Sequence, residues 1–387
     1  PGSILWYAGL SALFDRLTPL SSAARAWLLP LQCQNFDLLA YTPGQWASML
    51  FGIAMPLWAA LTPLALYAAA RRIVPASAQA VILWYPLIPG LSGFAGKWNT
   101  IYPLLALLAL LALMIGCRDE RLKFGWVGLS GLITGIGLFI NFALVPLALL
   151  LGLWVLLNEV AIRRQALTRA IAIGVVFALG LAAVWLIFWL VGGETPFDLL
   201  ATAMGFHLGL DRPYAFWVVM HTWDWLLWGG LAFGIVTFAL LARWMVRGRA
   251  EPMPLLSAAL GLTMLIMVLS GSARGETGRV WLFFAPFLLI AAAESWRSAD
   301  QPPARSSWLW LAVPQGALLV ALTAAIASMG TPFTRPQPPA PVETTHAVDV
   351  AFASDSGGAF RLVGWDGAVR DNSLELRLNW QAVERSQ

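Results

Sequence analysis

The stretch Ile101–Gly116, "IYPLLALLALLALMIG", carries no charged side chain, and the segment after it, "CRDERLK", holds three cations. This alternation of apolar runs and charged loops recurs along most of the chain. Hydrophobic residues make up 59% and charged residues 11% of the 387 residues, whereas a soluble chain has about 25% charged residues. Repeated apolar runs of this length predict membrane-spanning helices. The sequence therefore predicts an all-α polytopic membrane protein.

The apolar runs divide the chain into about ten spans or re-entrant helices. Several are shorter than the roughly 20 residues that a helix needs to cross a bilayer at right angles. Before them, the short apolar segment Pro1–Phe14 predicts a surface or re-entrant helix. The predicted spans are Gly44–Ala70, Ala78–Gly90, Ile101–Gly116, Phe124–Ile140, Ala143–Leu157, Ala170–Val191, Trp223–Trp244, Leu255–Gly271, Val280–Ala293 and Trp308–Met329.

The cations indicate how these spans are oriented. One set of alternate loops contains Arg71, Arg72, Arg118, Arg121, Lys123, Arg163, Arg164, Arg169, Arg243, Arg247, Arg249, Arg297 and Arg305. The opposite loops contain fewer, namely Arg16, Arg25, Lys97, Arg212, Arg274, Arg279 and Arg335. By the positive-inside rule the first set is cytoplasmic. We therefore expect a multi-pass protein of the bacterial plasma membrane, with Pro1–Pro43, Gly192–Thr222, Ser272–Arg279 and the whole tail outside.

The charge excess and the cysteines limit the possible partners. The net charge is only +4, and its placement follows membrane orientation, so the sequence does not predict a nucleic-acid partner. Cys33 and Cys117 fall on opposite sides of the predicted bilayer. We therefore expect neither a disulfide nor a metal site.

The tail changes character after residue 330. Residues 331–345, "TPFTRPQPPAPVETT", form a Pro-rich linker between a membrane domain, residues 1–330, and residues 346–387. In the last segment, "LELRLNWQ" alternates apolar and polar residues, and "FRLVGWDG" is the expected partner strand. We interpret this segment as the start of an extracytoplasmic β-sandwich that is incomplete here, in a chain that is a fragment.

A polar cluster interrupts the apolar stretch "SGSARGETGRVWLFFAPFLL" (Ser270–Leu289), where Arg274, Glu276 and Arg279 lie close together. We expect Val280 to begin a helix, with Thr277 as its N-cap, so that the helix N-terminus and two Arg side chains suit an anionic, lipid-linked headgroup. The alternative is an interfacial anchor, in which Glu276 and Arg279 simply form an i,i+3 pair. The spacing leaves both interpretations open.

A second polar group lies in the outer loop "PFDLLATAMGFHLGLDRPYAFWVVMHTWDW". It comprises Asp198, His207, Asp211, Arg212, Tyr214, His221 and Asp224. Such a mixture suits a sugar, and it equally suits an interfacial loop rich in Trp and Tyr. Of these residues, His207, Asp211, Arg212 and Tyr214 are candidates for sugar or acceptor binding. Asn141, in "GLFINFALV", marks either a break between two helices or a residue that faces a cavity.

Several segments together resemble a known family. They are "GETGRVWLFFAPFLL", the opening "PGSILWYAGLSALF", "DRPYAFWVVMHTWDWLLWGG" and the ending "RLVGWDGAVRDNSLELRLNWQA". They resemble multi-pass glycosyltransferases of the GT-C superfamily, close to the dolichyl-phosphate-mannose-protein-mannosyltransferase-like and arabinofuranosyltransferase-like proteins of bacteria. The Pro1-Gly2 pair is similar to the end of a His-Pro-Pro-Gly loop in that family.

The resemblance implies an inverting transfer of a hexosyl or pentosyl group from a polyprenyl-phosphate donor at the outer face of the membrane. The acceptor would be a glycan, a lipid or a protein. Arg274, Glu276 and Arg279 would bind the donor phosphate, and no resident cofactor or metal is implied. The family's catalytic carboxylate precedes the Pro-Pro segment. We therefore expect the general base to lie outside this chain, and the catalytic residue is unknown.

Two other functions fit the same pattern. A flippase or transporter of lipid-linked glycans would also place charges near a lipid phosphate, although it would more often show inverted repeats and charges at mid-membrane. A non-catalytic envelope assembly protein would use the β domain to bind a partner.

The charge asymmetry predicts that position 164 is cytoplasmic and position 207 external. In a chain without Cys33 and Cys117, Arg164→Cys should react with an impermeant maleimide only from the cytoplasmic side, and His207→Cys only from the outside. Labelling of position 207 from the cytoplasmic side would reverse the topology.

Overall fold

The computed structural model describes residues 2–15, 52, 54–95, 97–119, 121–248, 253–272, 275–296, 305–329, 346–353, 359–370 and 373–383. The chain divides into two compact units. One comprises Pro1–Leu10 and Leu50–Ala324, and the other comprises Ser11–Met49 and Ala325–Gln387. The described part is mostly helical, with several apolar helices and a small C-terminal sheet. The predicted linker 331–345 lies outside the described residues.

The α-helices follow one another with short interruptions. They are α1 Gly2–Asp15, α2 Thr62–Ile73, α3 Ala78–Trp84, α4 Pro89–Gly93, α5 Tyr102–Cys117, α6 Phe124–Ile140, α7 Val145–Leu156, α8 Leu167–Gly192, α9 Pro196–Leu208, α10 Tyr214–Gly229, α11 Leu231–Arg247, α12 Leu255–Ser270, α13 Thr277–Val280, α14 Ala285–Ala293 and α15 Arg305–Met329. Short 3-10 turns precede α3, α5, α7 and α14, and a π-helix, Leu157–Ile162, follows α7.

Four helical stretches in the described part are long and apolar enough to cross a membrane, or five if a bent pair counts as one span. The four are Trp98–Cys117, Phe142–Ile162, Leu167–Gly192 and Trp308–Ile326. The predicted span Phe124–Ile140 has the same bounds as α6. With 17 residues, it is shorter than each of these four stretches. In the predicted span Gly44–Ala70, only the part from Thr62 onward lies in α2. The first residues of this span lie outside the described residues.

Several predicted spans are not continuous helices. Trp223–Trp244 is divided at Gly229 and Gly230, where α10 and α11 meet at a bend of 119°. Gly230 has a φ of +123°, which disfavours a residue with a Cβ. Another, Ala78–Gly90, breaks into α3, a 3-10 turn and α4, because its two prolines cannot donate helical hydrogen bonds.

The core of the first unit is formed around α14. Its residues are buried on every side, and the preceding turn Leu282–Phe284 is buried as well. A helix that is apolar all round and surrounded by protein does not need the length of a lipid-facing span. By contrast, only 11% of the apolar window of α8 is buried within the protein.

The π-helix carries a buried carboxylate that joins three segments. Glu159 is fully buried and accepts hydrogen bonds from Arg163 Nη1 at 3.0 Å and Arg169 Nε at 2.6 Å. The two guanidinium groups also donate to backbone carbonyls, Arg163 to Cys117 at 2.6 Å and Arg169 to Asp119 at 2.8 Å. This arrangement, the Glu159 network, fixes the end of α5 against the start of α8.

Helices α6 and α8 pack through glycines. A Cβ added at Gly131 would lie 2.0 Å from the Phe177 carbonyl oxygen, and one at Gly180 would lie 2.1 Å from the Gly128 carbonyl oxygen. A Cβ added at Gly135 would lie 2.6 Å from the Leu181 oxygen. These are contacts with backbone atoms, which cannot rotate away. The close approach of the two helices therefore requires glycine at these positions.

The C-terminal sheet confirms the strand prediction. Strands β1 His346–Ala353, β2 Ala359–Arg370 and β3 Ser373–Val383 form an antiparallel sheet in the order β1-β2-β3. The predicted partners pair in β2 and β3, with Trp365 opposite Leu378 and Asp366 opposite Arg377. The described strands form this single sheet, so a sandwich stays a prediction.

Gly131→Ala should lower the free energy of unfolding by about 1–3 kcal/mol, the usual effect of overpacking a close contact. The matched control is Gly174→Ala on α8, where an added Cβ meets nothing within 4 Å; this change should be neutral or slightly stabilising. Unfolding in a denaturing detergent titration would measure both. Equal stability of the two variants would contradict the proposed role of Gly131 in the contact.

Candidate functional site

Two residues of the polar stretch predicted from the sequence form a tight turn before α13, and Arg279 lies in that helix. Gly275 has a φ of +93° and Glu276 a φ of +58°, so two successive residues adopt left-handed conformations. The chain then forms α13, a helix of only four residues, and ends it at the buried Trp281. The predicted helix Val280–Ala293 has a later start, because the chain is interrupted at Trp281. The helical stretch runs from Leu282, through a 3-10 turn, to Ala293.

A carboxylate from α10 occupies the N-terminus of α13. Asp224 Oδ2 accepts hydrogen bonds from the Gly278 backbone N–H at 2.7 Å and from the Thr277 hydroxyl at 2.8 Å. Thr277 is therefore not the N-cap that the sequence predicted; that position belongs to Glu276, whose side chain makes no capping bond. Since Asp224 already satisfies the free N–H of Gly278, the predicted phosphate seat at this helix N-terminus is not available.

The predicted ion pair of Glu276 and Arg279 is present. Arg279 Nη2 donates to Glu276 Oε2. Their side chains are 36% and 53% exposed, respectively, so solvent screening keeps the contribution of the pair to stability small. Both groups can be reached from outside the protein. Arg274, the second predicted phosphate ligand, lies outside the described residues.

Arg279 lies within electrostatic range of the buried Tyr102, the first residue of α5. The Tyr102 hydroxyl also lies beside the side chain of Asn141, at the break between α6 and α7. The buried Tyr102 hydroxyl nevertheless has no hydrogen bond of good geometry among the described residues. Asn141 interrupts the helix, as the sequence suggested, and its Oδ1 accepts from the Ala143 N–H at 2.9 Å.

The start of α1 lies at the same end of the unit. Gly2 is buried, and a Cβ added there would lie 2.9 Å from the carbonyl oxygen of Phe139, close to the end of α6. The Phe139 ring contacts Trp185 of α8, with ring centroids 5.5 Å apart. The end of the unit that holds Arg279, Tyr102, Asn141 and Gly2 is called the Arg279 end below.

The two predicted polar loops meet at Arg212. A Cβ added at Gly275 would lie 2.8 Å from Arg212 Nη1, and the Trp217 ring lies beside the same glycine. The absence of a Cβ at Gly275 thus lets the Arg212 side chain approach the turn before α13. This contact brings the two loops together at one point.

The other residues of the predicted sugar loop have varied positions. The Tyr214 hydroxyl donates to the Leu269 carbonyl at 2.7 Å and so joins α10 to the end of α12. Asp211 is exposed between α9 and α10. His207 lies in α9, and its side chain is outside the described part. These positions neither assemble the predicted sugar site nor contradict it.

Two further polar residues of that loop have structural roles. Asp198 and Thr195 bond to each other reciprocally at the start of α9, with Asp198 Oδ2 accepting from the Thr195 hydroxyl at 2.5 Å. This is the pattern of a capping box. His221 is fully buried, with its ring centroid 5.8 Å from that of Trp217 and 5.7 Å from that of Trp281. It packs within the aromatic core and does not face solvent.

The role of Asp224 and the position of Tyr102 were not predicted from the sequence. Asp224 was grouped with the possible sugar ligands, and nothing in its neighbours indicated a partner 54 residues away. Tyr102 was taken as part of an apolar span. Its place one residue before Pro103, at the start of α5, was the only available signal, since prolines favour the first helical turn.

No protein-family model, curated protein or solved structure matches this chain. Among the described residues, no group of three His, Cys, Asp or Glu side chains could hold a metal ion.

Asp224→Ala should destabilise the turn at α13, because the Gly278 N–H loses its acceptor. The Thr277 hydroxyl keeps the His221 carbonyl, 3.2 Å away. Each buried polar group that loses its partner costs about 1–3 kcal/mol. Asp224→Asn keeps a carbonyl oxygen and should recover much of the loss. Amide exchange of Thr277–Trp281 and thermal unfolding would measure the effect, with the exposed Asp211→Ala as the control. Unchanged exchange in Asp224→Ala would contradict the capping role.

Proposed function

We propose that the protein is a membrane glycosyltransferase that moves a sugar from a polyprenyl-phosphate donor to an acceptor at the outer face of the membrane. The Arg279 end is the donor site in this proposal. The resemblance of the GETGR segment and of the opening Pro-Gly to GT-C glycosyltransferases supports it. The structure supports it through one arrangement, namely a partly exposed guanidinium on a well-supported turn beside buried polar groups.

The position of Arg279 is the observation that carries the proposal. The backbone of its turn is held by Asp224 and by the buried Trp281. Its guanidinium, by contrast, stays 36% exposed and is coupled to Tyr102. A fixed backbone with an accessible guanidinium suits a residue that binds a ligand, since the side chain loses little conformational freedom when the ligand binds. An interfacial anchor would not need this support, because long cationic side chains reach the headgroups from flexible positions.

The chemistry follows from the shape of the guanidinium. Transfer of the sugar leaves negative charge on the departing lipid phosphate, and a planar donor with two parallel N–H groups matches the phosphate oxygens. Donors fixed where charge develops lower the barrier more than donors that must reorient. Glu276 orients Arg279 through their ion pair. Arg212, held near Gly275, supplies a second positive charge to the same loop. Arg274 is a further phosphate ligand in this proposal.

The remaining roles are assigned by position. Tyr102 and Asn141 place a hydroxyl and an amide near Arg279, and such groups hydrogen-bond to sugar hydroxyls. Asp211, Tyr214 and His207 belong to the acceptor side of the loop that contains Arg212. The acceptor hydroxyl must lose a proton during transfer, and we assign no general base.

Arg279→Lys should retain the fold and the charge and still lose most of the transfer activity. Losing one charge-assisted hydrogen bond of roughly 1.5–3 kcal/mol should slow transfer about ten- to a hundredfold. Transfer of a radiolabelled sugar from polyprenyl phosphate by the purified full-length protein in liposomes would measure it. The matched control is Arg72→Lys, since Arg72 is exposed and bonds only locally to the Ala68 carbonyl, 2.8 Å away.

Two outcomes would contradict the proposal. Equal transfer rates for the wild type and Arg279→Lys, at equal expression, would assign Arg279 to membrane anchoring. Movement of the lipid-linked sugar across the liposome membrane by a wild-type protein that transfers none of it would indicate a transporter.

A further inference from the structure

An apolar crevice lies next to the Glu159 network. Its volume is about 270 Å³, and residues of α5, α7 and α8 line it, among them Leu113, Leu151, Gly152, Ile171, Gly174 and Phe177. All the lining residues are apolar. An added Cβ at Gly152 or at Gly174 would meet nothing within 4 Å, so these two glycines leave the crevice open.

The crevice opens beside the π-helix. Leu156, which immediately precedes the π-helix, and Leu167, the first residue of α8, both line it and are exposed by 42% and 55%. Helix α8 is mostly unburied, and its mean hydropathy of 2.7 is the highest among the four long apolar stretches. If this face lies in a bilayer, the crevice is therefore open to the acyl chains of neighbouring lipids.

Several cations lie in the loops that follow α5 and precede α8, next to this end of the crevice. Arg118, Arg121 and Arg164 are exposed, and Arg163, whose Nη2 donates to the Arg118 carbonyl at 3.3 Å, is partly exposed. Arg169 lies in the same network. On the acidic side, Glu159 is buried within the network, and Asp119 pairs with Lys123 at 2.8 Å. The Lys123 ammonium, by hydrogen bonding and by charge, lowers the pKa of Asp119. Glu120 lies outside the described residues.

We propose that this crevice and its cationic rim bind an anionic phospholipid. One acyl chain occupies the space beside Gly152 and Gly174, and the phosphate headgroup lies against Arg118, Arg121 and Arg164. Basic pockets between membrane helices are suited to anionic headgroups, and each nearby cation contributes about 1 kcal/mol of attraction. The site lies at the opposite end of α5 from Tyr102, about 22 Å along that helix. It is therefore separate from the proposed donor site and does not rest on the proposed function.

An anionic lipid fits this place better than other occupants. A neutral lipid would fill the crevice and leave the exposed cations without a partner. A free anion would meet the cations and leave the crevice empty. An anionic lipid matches both the cations, through its headgroup, and the apolar crevice, through its acyl chains. We infer this occupant because the crevice and the cations lie next to each other.

The experiment measures lipid retained by the full chain. Purified protein is reconstituted into vesicles of equal parts phosphatidylglycerol and phosphatidylcholine, extracted in mild detergent, and analysed by native mass spectrometry. We expect phosphatidylglycerol to be retained at least about fivefold over phosphatidylcholine, as one cation's contribution would give. Arg164→Gln should reduce this preference about fivefold, and the exposed Arg71→Gln is the charge-matched control.

The crevice is tested separately from the headgroup contacts. Gly152→Leu and Gly174→Leu should fill it and lower retention of both lipids without unfolding the protein, because each new side chain enters open space. The control is Gly316→Leu in α15, where an added Cβ also meets nothing within 4 Å. Thermal unfolding confirms that the variants remain folded.

Three results would overturn the proposal. The first is that the wild type retains the two lipids equally. The second is that Gly152→Leu and Gly174→Leu both retain as much lipid as the wild type. The third is that these two variants lose a dimer that the wild type forms, while lipid retention is unaffected. The last result would make the crevice a contact between two copies of the chain.

Discussion

In an apolar surrounding, a backbone N–H or C=O released at a helix end must find its partner within the protein. Much of this structure follows from that constraint, and charged side chains supply the partners. Asp224 accepts from the Gly278 N–H at α13, and Glu294 accepts from the Leu256 and Ser257 N–H groups at the start of α12, at 3.1 and 2.8 Å. At the Glu159 network, Arg163 donates to the last carbonyl of α5 and Arg169 to the Asp119 carbonyl just beyond that helix. These contacts allow short helices to end inside the protein.

The same contacts decide which charges remain available to a ligand. Asp224 and Glu294 are committed to backbone groups, and Glu159 to two guanidinium groups. Arg279, by contrast, pairs only with an exposed carboxylate among the contacts described above, and part of its guanidinium faces outward. A charge-rich segment is thus not a binding site as a whole. Some of its side chains bond to the protein's own backbone, and others stay exposed and can meet a ligand. This division is why the Arg279 end supports a phosphate-binding proposal after the helix N-terminus itself is excluded.

Close helix contacts position these groups. The glycines of α6 and α8 bring two backbones together, and the aromatic cluster of Phe139, Trp185 and Phe188 packs at one end of that contact. Asn141 follows directly, so the break between α6 and α7 is held beside α5. At Gly229 and Gly230 the chain bends by 119° between α10 and α11. Asp224, in α10, lies against the N-terminus of α13. The site therefore depends on backbone positions that only glycine can occupy.

The sequence by itself determined the local properties of this protein. Apolar runs identified the helices, as with the bounds of α6, and a period of two identified the pairing of β2 with β3, since both patterns record which face of an element avoids water. The i,i+3 spacing predicted the Glu276–Arg279 ion pair, and the polar Asn141 within an apolar run predicted the break between α6 and α7. Only the tertiary structure decided that Asp224 caps α13, that Glu159 joins two arginines to α5, and that Tyr102 lies near Arg279. Apart from the i,i+4 pair of Glu159 and Arg163, these partners are separated by ten to more than a hundred residues. No periodic pattern encodes a contact made by folding distant segments together.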